Sequence, residues 1–197
     1  MTTHADSLAP MPSFSRNRAA LRRTALVMLA PVLAYGLVRP LVESDALALG
    51  IAGAIPVVYS IVLAVVRRRI DPIALVTAIG FSLACVVSVL AGGSSLPLKL
   101  HEAAITFALG LVMLVAVLIG RPLPVSRALR VPSATKAIES SLGALVGGFL
   151  MLHALLHLVL AVSLSTSSYV VVGRIADWGT LAIGLLALSA YVRRLRG

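Results

Sequence analysis

From residue 24 onward the chain alternates long apolar runs with short polar or basic breaks. A bilayer core of about 30 Å takes about 20 apolar residues per helix. Six runs approach that length: Thr24 to Pro40, Ala46 to Val66, Pro72 to Ala91, Glu102 to Ile119, Ile138 to Leu164 and Tyr169 to Val192. The breaks carry turn chemistry. Asp71-Pro72 supplies an N-cap and a first-turn proline, Gly92-Gly93-Ser94-Ser95 a turn, and Arg121-Pro122 a stop. The pattern predicts an all-α fold, a polytopic membrane protein with six transmembrane helices over residues 21–197. Residues 1–20, with Pro10, Pro12, Ser13 and Ser15, read as a short disordered cytoplasmic tail.

Composition sharpens this reading. Hydrophobic residues make up 59% of the 197 and charged residues 12%, against about 45–50% and about 25% in soluble domains. That excludes a typical soluble enzyme, a disulfide scaffold and a disordered chain. The one cysteine, Cys85, lies inside an apolar run and has no intrachain partner for a disulfide. Arg22-Arg23 before an apolar run resembles a cleaved signal, but five further runs follow, so the first is read as a retained span.

The formal net charge of +10 is distributed by segment. Fourteen of the 17 Lys+Arg fall in the N-terminal tail, the second-to-third and fourth-to-fifth loops and the C-terminus; only Arg39, Lys99 and Arg174 fall on the other side. The positive-inside rule then puts both termini in the cytoplasm. Nucleic acid is not expected as a partner, because aromatics are only 5% and no wetted basic face is apparent. The stretch Arg121 to Lys136 also holds Leu123, Val125, Leu129 and Val131. It is either a solvated loop that enforces topology or a segment that attracts anionic lipid at the cytoplasmic face.

Several short motifs carry a family resemblance: Pro31-x-x-x-Tyr35-x-x-x-Arg39-Pro40, Ser44-Asp45-Ala46-Leu47, Arg67-Arg68-Arg69-Ile70-Asp71-Pro72 and Gly120-Arg121-Pro122-Leu123. With them, residues 20–195 resemble a group of small bacterial inner-membrane proteins described as relatives of intracellular septation protein A. The resemblance implies a multi-pass protein of the bacterial cell inner membrane that acts in the envelope through protein or lipid partners. It implies no reaction and no substrate.

Ionisable groups inside spans are costly and are therefore the first candidates for function. In the fifth span Glu139, Gly143, Val146, Leu150, His153 and His157 share a stripe at helical spacing. Asp177 in the sixth span is expected level with His157, with Arg174 one turn outward. A His157–Asp177 hydrogen bond would fix the imidazole tautomer. Three readings stay open for His153, His157, Asp177, Arg174 and Glu139: structural pairing, a proton or substrate site, or a two-His-plus-carboxylate site for a divalent metal. Gly143-x-x-x-Gly147 marks close helix packing or a dimer face.

A second polar cluster is expected at the outer end, from Arg39, Glu43, Asp45, His101 and Glu102. Pro31 and Pro56 fall near mid-depth, where each frees a carbonyl and bends its helix, as at transporter sites and in ordinary membrane helices alike. Arg39-Pro40 and Arg121-Pro122 end the first and fourth spans on opposite sides, a short sign of an inverted repeat. Phosphate-binding loop, nucleophile-elbow and dinucleotide motifs are missing, so neither an enzyme nor a cofactor is expected. The expected partner is the lipid bilayer, with either an envelope protein or a second copy of the chain as a protein partner. The alternative function is a small transporter or channel for an ion or small solute.

Overall fold

The computed structural model describes residues 30, 32–68, 72–129 and 135–196; Pro31 and the tail over residues 1–20 lie outside the described residues. The elements are α1 (Val32–Leu41, ending in a 3-10 turn), α2 (Asp45–Arg67), α3 (Pro72–Leu90), α4 (Leu96–Leu118), α5 (Val125–Ala128), α6 (Lys136–Ser163) and α7 (Thr166–Arg196). No strand occurs among the described residues. Among the described residues four helices, α2, α4, α6 and α7, are long and apolar enough to cross a membrane. Against the six spans expected, α1 and the Leu75–Leu90 part of α3 are shorter apolar helices.

Local chemistry sets the ends. Ser44 caps α2 by accepting the Leu47 amide, and Arg68 closes it in the left-handed region at φ 50°. Gly92 and Gly93 end α3 with φ of +68° and +83°, a conformation that favours glycine, and the Gly93 amide reaches back to Ser88 O at 2.9 Å.

Two boundaries differ from the sequence reading. The fourth span was expected to begin at Glu102, with Lys99 as a loop cation. Instead α4 begins at Leu96, with Pro97 in its first turn. Lys99 is buried there, its Nζ donating to Ala161 O at 3.2 Å and Leu164 O at 2.9 Å, so the charge satisfies carbonyls at the end of α6. Likewise α7 begins at Thr166 rather than Tyr169, so Arg174 lies deeper in the helix than expected.

The helices run up and down with short connections. Helices α4 and α6 pack antiparallel at backbone contact: a Cβ on Gly110 would lie 2.9 Å from Gly147 O, and one on Gly143 2.9 Å from Val117 Cγ2. The Gly143–Gly147 seam is therefore filled by α4 of the same chain, which decides between packing and a dimer face. Elsewhere aromatic rings sit over glycine, Phe81 on Gly53 and Phe149 on Gly184. The interior is built from small residues, as association in lipid requires: among the described residues only Leu142 is a large side chain with essentially no exposure. Leu37, Val65, Leu90, Leu118 and Leu186 project outward.

Three connections are tied together at one end. Ser95 Oγ meets Thr166 Oγ1 at 2.8 Å, and Tyr35 Oη of α1 meets Ser167 Oγ at 3.2 Å. This capped end holds the α1–α2, α3–α4 and α6–α7 connections. The opposite end carries Arg68, Arg121, Arg127, Lys136, Arg193 and Arg194.

Candidate functional site

Helical spacing puts His153 and His157 on one face of α6, directed at α7. On α7, Arg174, Asp177 and Thr180 follow at steps of three. The two helices bring His157 Nε2 to 2.9 Å and His153 Nε2 to 3.6 Å from the same oxygen, Asp177 Oδ1. The imidazole rings lie 4.6 Å apart, centroid to centroid.

The outer partners of these groups assign their protons. Thr180 donates its hydroxyl to Ala176 O at 2.7 Å, so at 2.9 Å its oxygen accepts from His153 Nδ1. Tyr169 donates to Lys99 O at 2.7 Å, so at 3.3 Å its oxygen accepts from His157 Nδ1. Each neutral imidazole therefore carries its hydrogen on Nδ1 and leaves Nε2 a bare acceptor. His157 is only 3% exposed, and its Nε2 is buried with no hydrogen-bond partner, since Asp177 Oδ1 is near but out of line for an N–H donor. The other carboxylate oxygen, Asp177 Oδ2, accepts from Arg174 Nη1 at 3.1 Å. Arg174 Nη2 reaches Glu102 Oε1 of α4 at 3.5 Å.

His157, Asp177 and Arg174, though not His153 or Thr180, border a cavity of about 300 Å³ between α2, α3, α4, α6 and α7. Its polar lining includes His101, Glu102, His157, Tyr169, Arg174 and Asp177, and Pro56 and Ser60 line it from α2. Proline at 56 leaves the Ala52 carbonyl without its helical amide, beside the same cavity.

Not every expected member converges. Glu139 lies on the His153 stripe, but 14 residues away, about 21 Å along the helix. It faces the opposite end, where it accepts from Ser126 Oγ and, at 3.1 Å, from the Ser126 amide, holding α5 against α6. The outer cluster also divides. Arg39 pairs with Asp45 and donates to Val42 O at 2.9 Å, Glu43 is exposed in the same connection, and Glu102 turns inward to Arg174. His101 folds back, Nδ1 at 2.6 Å from Leu98 O and its ring edge-on to Phe81 at 5.3 Å.

Lys99, Tyr169 and Thr180 went unselected in the sequence. Thr180 carried a usable signal, three residues beyond Asp177 on its face. Tyr169 and Lys99 carried none, because each looked like an ordinary residue at a membrane boundary. No family model, curated protein or solved structure matches this chain.

Proposed function

We propose that this chain is a multi-pass protein of the bacterial inner membrane that takes a small cation or polar solute into the cavity bordered by His157, Asp177, Arg174 and Glu102. The reading includes six spans with both termini cytoplasmic. The 19 residues of α3 would reach about 28 Å, close to the hydrocarbon thickness. Orientation is supported by the basic end of the bundle. Lys99 and Arg174, two of the three cations counted against it, are occupied inside the bundle with carbonyls and carboxylates. They are poor topology signals there.

The observation that carries the reading is the convergence of two imidazoles and a carboxylate within apolar helices, with His157 and Asp177 lining a mainly apolar cavity. Such groups in lipid are expensive unless used. Purified protein in liposomes, loaded with pH- and zinc-sensitive dyes, tests it. Proton or zinc entry above protein-free vesicles, lost in Asp177→Asn, is the expected result. Equal leak from both overturns the transport reading.

A second reading, an envelope protein acting through protein or lipid partners, draws on the septation-protein resemblance and on α5, which Glu139 pins at the basic end. Crosslinking in intact cells to a defined protein, with no flux in liposomes, would favour it.

A further inference from the structure

We propose that His153 Nε2, His157 Nε2 and Asp177 Oδ1 are the three protein ligands of a divalent transition-metal ion of the zinc class. This deepens the cation-binding reading of the same cavity and rests on it for function, though not for binding.

Three acceptors face one another here. Both imidazoles spend their hydrogens outward, on Thr180 and Tyr169, and the carboxylate has none to give at neutral pH. Lone pairs gathered this closely repel unless a positive centre lies among them. The three atoms lie within 4.8 Å of one another. A tetrahedral ion with bonds of about 2.0–2.1 Å needs ligand separations of about 3.3 Å, and the two nitrogen–oxygen distances, 2.9 and 3.6 Å, bracket that value. The approach of His157 Nε2 to Asp177 fits as well, because this buried nitrogen makes no hydrogen bond and its lone pair stays free for an ion.

The supporting shell has the form metal sites use, in which the far atom of each ligand is held by a hydrogen bond. Thr180 holds His153, Tyr169 holds His157, and Arg174 holds Asp177 Oδ2 so that Oδ1 is left to bind end-on. Thr180 and Tyr169 are themselves anchored on the backbone carbonyls of Ala176 and Lys99. Two imidazoles with one carboxylate suit zinc, copper, nickel or iron, whereas magnesium and calcium take oxygen donors. Three protein ligands leave a fourth position, and His157 and Asp177 both line the cavity, which would supply water or a solute to it.

The test uses the full chain in detergent, stripped with chelator and titrated with Zn²⁺ by calorimetry and with Co²⁺ by visible absorption. One equivalent should bind, and Co²⁺ should give the intense bands of a tetrahedral site. His157→Gln and Asp177→Asn should each abolish the cobalt bands. Thr180→Val, which touches no ion, should weaken binding about 10–100-fold by freeing His153. Folded wild-type protein that binds neither ion overturns the proposal, as does binding unchanged in Asp177→Asn. Tight binding without vesicle flux upholds the metal site and removes the transport reading; flux without bound metal does the reverse.

Discussion

The ammonium of Lys99 lies 2.9 Å from the carbonyl oxygen of Leu164, so a cation near the start of one helix closes the end of another. The same group reaches Ala161 O, and its own carbonyl accepts from Tyr169. Carbonyls at a helix end have no amide partner within the helix, and lipid offers none. One lysine thereby joins α4, α6 and α7 at the capped end.

Replacing it with a side chain of similar length and no charge leaves those carbonyls unmet. Lys99→Met should lower stability by about 1–3 kcal/mol, the usual cost of a buried polar group without its partner. Thermal unfolding in detergent measures this. A melting curve unchanged from wild type would mean that water reaches the α6 end and the lysine is dispensable.

The α4–α6 seam makes a sharper contrast, because two adjacent glycines differ completely in surroundings. A Cβ on Gly147 would lie 3.1 Å from both Gly110 O and Leu114, whereas one on Gly148 meets nothing within 4 Å. Gly147→Leu should therefore force the helices apart and cost at least about 1–3 kcal/mol. Gly148→Leu should be nearly silent. Comparable loss in both variants, read by thermal unfolding, would remove the backbone contact from the account.

How much of this was legible in the sequence depends on what periodicity carries. A 3.6-residue repeat gives the face of a helix, so His153, His157 and Asp177 were selected by residue type and phase. Phase does not give depth, and Glu139 satisfied the same stripe although it lies at the far end beside Ser126. Hydropathy located the long helices well, yet it treats any lysine or arginine as a boundary. Lys99 therefore looked like a loop charge, because nothing local announces that carbonyls of Ala161 and Leu164 will meet it, and Arg174, although selected beside Asp177, gave no local sign of Glu102 as a partner. Those partners lie more than 60 residues away in the chain.

Arg174 stands between two carboxylates of unequal burial. The side chain of Asp177 is 21% exposed and that of Glu102 45%. Removing the cation strands the more enclosed acid, whereas removing Glu102 still leaves Arg174 paired with Asp177. Arg174→Met should thus cost about 1–3 kcal/mol and Glu102→Gln less than about 1 kcal/mol. Denaturation in mild detergent at neutral pH ranks the two. The reverse order would show that Glu102 is the chief partner.

Topology admits a direct test because Cys85 is the single cysteine, partly buried within α3. In a Cys85→Ala background, Ala91→Cys would place a thiol at the α3–α4 turn of the capped end, and Leu123→Cys one in the connection before α5 at the basic end. Both native residues are exposed, so neither substitution disturbs packing. Positive segments resist translocation, so the connection with Arg121 and Arg127 should stay cytoplasmic. A membrane-impermeant maleimide should label Ala91→Cys in intact cells and Leu123→Cys only after permeabilisation. The opposite pattern would invert the protein. Labelling of both in intact cells would mean that α4 fails to cross, and with it the cavity bordered by Glu102 and Arg174 would lose its place inside the membrane.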